Sequence, residues 1–228
     1  AKYAAETLKV KKVAVLYGTG DPYSSGVGKA FVAAAKKNGL DVVAEENSSS
    51  ADDTEYSSQL QKIEASGAEF LYAPYYYSAV GPYIVPQARS VGYDGYIMGP
   101  DGYDGLKTTG NKARYDKVLY TTHYSPDDKS NKKVQRFITS YKAANNGESP
   151  NTFTALGYDS VYMFKQAIEQ AGEHATRTDI RNAIAGMNFS GVTGAFTLDK
   201  HGSPKKSVIV LEMKNGSPTY KDTIQPAE

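Results

Sequence analysis

The chain has 228 residues, 26 Lys plus Arg against 25 Asp plus Glu, no Cys and no Trp. So even a charge balance gives no electrostatic basis for nucleic acid or a membrane surface as partner, and the length suits one large or two small domains. Absence of Cys excludes a disulfide scaffold, a thiolate metal site and a Cys nucleophile, and the apolar runs fall far short of the ~18 residues of a membrane span.

In chain order, Ala1 to Leu8 lacks the charged and apolar regions of a signal peptide, so none is expected in this chain. Lys11 to Tyr17 is a short β-branched run that predicts a strand. After a Gly/Ser turn, Gly26 to Asn38 carries Val27, Ala30, Phe31, Ala34 and Ala35 at helical spacing. Ser24 or Ser25 is the expected N-cap of that helix and Gly39 its left-handed stop. The unit repeats as strand Asp41 to Glu46, helix Glu55 to Ser66 with Asp52 or Asp53 as cap and Gly67 as stop, and strand Glu69 to Ala73. The next helix contains Pro82 and Pro86, so it should begin late or kink, because an interior Pro loses a hydrogen bond and clashes with the preceding turn. Strand Tyr96 to Gly99 and strand Lys117 to Tyr124 follow. This alternation predicts a parallel sheet flanked by helices.

Beyond Tyr124 the pattern changes. Asn131 to Asn145, Phe153 to Ala171 and Asp179 to Met187 read as three successive helices. The chain then ends in strands of antiparallel character: Gly194 to Asp199, Ser207 to Met213, and Thr219 to Lys221 after the Asn215-Gly216 turn. The fold class expected is α/β with an additional mainly helical section and C-terminal antiparallel strands.

Signals for enzyme chemistry are missing. Gly18-Thr19-Gly20 lacks the third Gly of a dinucleotide fingerprint, and Gly28-Lys29-Ala30 lacks the Ser/Thr of a phosphate loop, so a plain turn is the better reading. His123, His174 and His201 have no ligand spacing, and no nucleophile elbow exists. Neither a metal nor a cofactor is expected. What remains is an aromatic and acidic set in the loops at the carboxyl ends of the predicted parallel strands. Tyr23 follows the first, Tyr75, Tyr76 and Tyr77 the third, and Asp101 and Tyr103 the fourth. Open α/β sheets bind ligands there, and tyrosine walls around a carboxylate suit an ammonium group.

Across nearly the whole chain, stretches such as KKVAVLYGTGDPYSSGVGKAF, DDTEYSSQLQKI, QARSVGYDGYIMGPDGYDG, LYTTHYSPDD, FTALGYDSVYMFKQAIEQAG and FSGVTGAFTLDKHGSPKKSVIVLEMKNG resemble the branched-chain amino-acid-binding family of bacterial periplasmic receptors. The resemblance implies a type I periplasmic binding fold, in which two α/β lobes close on an amino acid and deliver it to an ABC permease. It also implies a periplasmic or extracellular lipid-anchored location. Asp101 then matches the residue that holds the ligand's α-ammonium group, and Tyr23 and Tyr76 match rings that cover its side chain. Tyr103 stands at a position usually Trp, and Phe153 falls near a pocket residue from the other lobe.

By this resemblance the chain is expected to begin where the family's second lobe begins, without the first segment of the N-terminal lobe. Residues 1–124 plus 206–228 then form the C-terminal-type lobe, and 125–205 a remnant of the N-terminal-type lobe. Tyr75 stands where relatives have Gly, and Pro82 and Pro86 where they have ordinary helix formers. The resulting expectation is a non-enzymatic receptor for a small amino acid or related ligand, or a truncated or engineered derivative of one. The alternative is a scaffold fragment with little or no ligand binding, self-associating as a homodimer through its orphaned helices.

Overall fold

The structure, a computed structural model described over residues 1–126 and 131–225, begins with a short helix, α1 (Lys2–Glu6), too short to show a helical period in the sequence. The last two residues of the LYTTHYSPDD motif lie outside the described residues. The first half then alternates: β1 (Lys12–Gly18), α2 (Pro22–Lys37), β2 (Asp41–Ser48), α3 (Ser57–Ala65) and β3 (Phe70–Tyr72). After a broken helical segment come β4 (Tyr96–Gly99) and β5 (Val118–Thr122).

A seven-stranded sheet runs β10-β9-β5-β4-β3-β1-β2, where β9 is Val208–Lys214 and β10 is Ser217–Ile224. The pairings β1–β2, β1–β3, β3–β4 and β4–β5 are parallel. β1 is covered on both faces, since Val13, Ala14, Val15 and Leu16 have no exposed surface. That is why its sequence is a continuous apolar run rather than an alternation. Asn215 and Gly216 both have positive φ (52° and 79°), the two-residue turn that joins β9 to β10 as a hairpin.

Strand order reverses at β1, with β2 on one side and β3 on the other. The carboxyl ends of β1 and β3 therefore mark the switch point at which open α/β sheets take ligands.

The predicted helix caps are corrected. α2 begins two residues ahead of Ser24: Asp21 is its N-cap, accepting from the Ser24 N–H at 2.6 Å, with Pro22 at the first helical position. Ser24 is buried and its hydroxyl instead accepts from the Gly18 N–H at 2.8 Å. α3 has no side-chain cap of its own; the Tyr56 N–H donates to Gln87 Oε1 at 2.7 Å. Asp53 folds back on its own loop, accepting from the Ser50 N–H and the Ser49 hydroxyl.

The two prolines divide the fourth helical region as expected of them. Tyr77–Ala79 forms one turn (α4), Val80–Ile84 is a π turn containing Pro82, and α5 (Val85–Ser90) starts with Pro86 among its first two residues.

The chain divides into two compact units, Ala1–Thr121 with Val210–Lys221, and Thr122–Ile209 with the residues from Asp222 onward. The second holds α6 (Lys132–Ala144), α7 (Thr152–Ala171), α8 (Arg177–Ala185) and a three-stranded sheet. In that sheet β6 (Asn188–Gly191) and β8 (Pro204–Lys205) pair antiparallel on either side of β7 (Gly194–Leu198). β6 was not expected, because NFSG is too short and too Gly-limited to show an alternation. Asp159 on α7 is buried and anchors the β6–β7 turn, accepting from the Val192 and Thr193 N–H groups and the Thr193 hydroxyl. No helix among the described residues is long and apolar enough to cross a membrane.

Candidate ligand-binding site

Three loops of the first unit converge at the carboxyl ends of β1, β3 and β4. The Tyr23 and Tyr76 rings stack with centroids 5.3 Å apart, 24° from parallel. The Tyr23 hydroxyl donates to Asp101 Oδ1 at 2.7 Å and accepts from the Gly102 N–H at 3.2 Å. A side chain at position 102 would not permit this: a Cβ there would lie 2.7 Å from the Tyr75 carbonyl oxygen and 3.2 Å from the Tyr23 hydroxyl. The Asp-Gly pair is thus more than a turn, since Gly102 lets the loop close on Tyr23.

Burial pushes the Tyr23 phenol far above its ordinary range, and the hydrogen bond and charge of Asp101 push it further. It therefore remains a protonated donor at any pH the fold experiences. Tyr76 is raised too, by burial first, then by the charge of Asp21 and a hydrogen bond to it, then by the charges of Asp52 and Asp101. The charges acting on this wall are carboxylates, so it presents a negative field suited to a cationic group.

Of the expected site residues, Tyr23, Tyr76 and Asp101 are brought together. Tyr75 and Tyr103 are not at the surface: both have no exposed area. Tyr75 bonds through its hydroxyl to that of Ser48 at 2.8 Å and packs edge-on to Tyr56, while the Tyr103 hydroxyl donates to the Ala73 carbonyl at 2.7 Å. They pack beneath the loops, not on the exposed face of the Tyr23–Tyr76 pair. Tyr77 is half-exposed, and its ring lies beside the Gly105 turn. Phe153, on α7, belongs to the second unit and is 47% exposed.

Two residues outside the expected set join this cluster. Tyr72, the last residue of β3, is raised by burial and by the Asp101 charge, and its ring stacks on Phe31 at 4.3 Å. Asp21 comes within 3.5 Å of the Tyr76 hydroxyl. The Asp-Pro pair at 21–22 was the available signal, since a capping residue before Pro marks a helix start.

The Gly-Thr-Gly turn is occupied by the protein itself. The N–H groups of Gly18, Thr19 and Gly20 go to Ser24 Oγ and to the Ser48 and Ser49 carbonyls, and Asp21 caps α2. No donor set is left there for a phosphate.

Residues 1–218 match the family described as Periplasmic binding protein. The chain belongs to that family. A leucine-binding protein, LivK, of Thermotoga maritima superposes with a TM-score of 0.84 at 31% identity, over 98% of this chain and 63% of that one. The branched-chain amino acid transporter substrate-binding protein LivJ of Streptococcus pneumoniae, in complex with isoleucine, superposes at 0.82 with 27% identity, over 99% of this chain and 63% of its own. Among curated relatives, the leucine-, isoleucine-, valine-, threonine- and alanine-binding protein of Pseudomonas aeruginosa is 27% identical over 90% of this chain and 53% of its own length. The Leu/Ile/Val-binding protein homolog 3 of Brucella melitensis is 30% identical over 89% and 54% respectively. The chain therefore spans about half the length of the curated relatives it matches. The mixed α/β fold with a mostly parallel sheet is that of the type I members of the family.

Proposed function

We propose that this chain is the ligand-reading part of a solute receptor, in which the first unit holds the ammonium group of a free amino acid on Asp101 and covers its side chain with Tyr23 and Tyr76. The stacked pair locked to Asp101 at the switch point carries the reading. Relatives named for branched-chain amino acids support this over a scaffold that binds nothing. Within the reading, the first unit is the C-terminal-type lobe and the second a remnant of the N-terminal-type lobe. The whole receptor works in the periplasm and delivers its ligand to an ABC permease, without catalysing a reaction.

Analogues that divide the ligand test the assignment. L-leucine and isoamylamine share an ammonium group; 4-methylpentanoate keeps only the carboxylate. NMR titration should give binding of the first two and not the third. Asp101→Asn in a two-lobed version should weaken leucine by about 1.5–3 kcal/mol, the range for hydrogen bonds to charged groups. Equal binding of all three compounds, or an unchanged Asp101→Asn, would sink the assignment.

Self-association through the helical section belongs to the same reading. α7 leaves Phe153, Val161, Phe164 and Ile168 exposed at helical spacing, and at Gly157 a Cβ would meet open space. Laying α7 antiparallel on a second copy, about a two-fold between Ser160 and Val161, sets Phe153 against Ile168 and Phe164 against the Gly157 gap. This stripe offers a few hundred Å² per copy, below the ~800 Å² per partner of a standard interface, so the dimer should be weak. Light scattering at rising concentration should show it, and Phe164→Glu should abolish it. A parent chain that stays monomeric throughout would dispose of it.

A further inference from the structure

We propose that Asp21 is a positioning residue for Tyr76 and, through that ring, a determinant of the ligand charge the site accepts; this rests on the receptor reading above. The carboxylate divides its oxygens between two tasks. Oδ1 caps α2 by accepting from the Ser24 N–H at 2.6 Å, and Oδ2 lies 3.5 Å from the Tyr76 hydroxyl. Its backbone carbonyl also takes the Ser25 N–H at 2.9 Å and the Ser25 hydroxyl at 2.8 Å, so the residue is held from both ends.

A continuous set of contacts leads from there to the proposed ammonium partner. Gly18 at the end of β1 donates to Ser24, Ser24 donates to Asp21, Asp21 faces the Tyr76 hydroxyl, Tyr76 stacks on Tyr23, and Tyr23 donates to Asp101. The helix cap and the ligand wall therefore share one side chain. A carboxylate is not needed for the cap alone, because Asn and Ser cap as well as Asp does. What only Asp adds at this position is a further negative charge beside the wall, in addition to those of Asp101 and Asp52. That charge favours an ammonium-bearing ligand and disfavours an anionic one, in the same sense as Asp101.

The equivalence of the caps makes the test clean. Asp21→Asn keeps a cap but turns an amide toward Tyr76, while Asp21→Ser keeps a cap and is too short to reach the ring. Both should retain the thermal stability of the parent. Two readouts then apply, both by NMR. The first is L-leucine affinity, expected to fall about two- to fivefold in each variant, as for loss of one partly exposed charge contact. The second is the titration midpoint of the Tyr76 phenol in ¹³C-tyrosine-labelled protein, assigned with Tyr76→Phe. It should move down in both variants, since Asp52 and Asp101 remain but Asp21 no longer holds the phenol protonated. A role in capping alone would leave that midpoint where it is, so an unchanged midpoint in two folded variants overturns the proposal. A lowered midpoint with undiminished leucine affinity overturns the specificity part. If a two-lobed version does not bind leucine either, the receptor reading fails, and the Tyr76 titration still decides whether Asp21 governs the ring.

Discussion

Tyr103 has no exposed surface, and its hydroxyl shares the Ala73 carbonyl with the Tyr75 N–H. Removing that hydroxyl should cost about 1 kcal/mol of stability, the net value of a neutral hydrogen bond, and should leave ligand affinity untouched. Urea unfolding of Tyr103→Phe alongside a leucine titration checks both halves; a loss of affinity at full stability would return Tyr103 to the ligand wall. Tyr76→Ala should do the opposite, sparing the fold and hurting large side chains more than small ones. The loop positions of these tyrosines were legible in the sequence, because strand ends can be located from apolar runs. Which ring points down and which points out was not. Tyr75, Tyr76 and Tyr77 are adjacent and chemically identical, and only the placement of Ser48 and Tyr56 beneath them draws Tyr75 inward. Asp159 was equally invisible, since its role depends on a turn more than 30 residues away. Asp159→Ala would leave the buried Val192 and Thr193 donors without this acceptor, and chemical denaturation should register a loss of about 3 kcal/mol or more.

The strands of the parallel pairs were readable as elements to within a few residues because a parallel sheet demands uninterrupted apolar runs, and β4 (Tyr96–Gly99) has the expected bounds. Helix starts were less legible, since several Ser and Asp residues compete in each loop and tertiary contacts choose among them. Asp21 won at α2 because Pro22 presets the first helical turn, and Gln87 displaced both aspartates at α3. Pro82 and Pro86 announced a break but not its form. The π turn that absorbs Pro82 brings Gly81 so close to the next loop that a Cβ there would sit 2.6 Å from the Lys107 carbonyl oxygen. Gly81→Ala should therefore cost about 1–3 kcal/mol through overpacking of backbone against backbone, measurable by thermal unfolding. At α8, Thr176 and Asp179 form a reciprocal capping box, and hydrogen bonds from the Thr176 hydroxyl and backbone hold the Asp179 carboxyl below its ordinary value. A carboxyl lowered in the folded state adds stability that is present above its unfolded value, near 3.8, and disappears as pH falls through the folded value. The gap in melting temperature between the parent and Asp179→Asn should thus be open at neutral pH and close in acid. A gap that persisted unchanged at pH 2 would refute the box as its source.

Across the whole molecule, the question is how tightly one wall can hold an amino acid. The chain spans about half the length of its curated relatives, and the proposed contacts on the first unit are an ammonium group on Asp101 and a side chain against Tyr23 and Tyr76. A charge-assisted hydrogen bond contributes about 1.5–3 kcal/mol. Covering one side of a leucine side chain contributes about half of the ~2 kcal/mol that full burial would give. Against this stands the loss of translational and rotational freedom, ~4 kcal/mol at the least. The balance is close to zero on the molar scale, and even generous contacts bring it no further than the ~4 kcal/mol of a millimolar complex. We therefore expect this chain alone to bind leucine no tighter than about millimolar, with fast exchange in NMR titration and shifts confined to Tyr23, Tyr76, Asp101 and their neighbours. Submicromolar binding by the 228 residues alone would mean that a second set of contacts grips the ligand, and the account of a single reading wall would have to be abandoned.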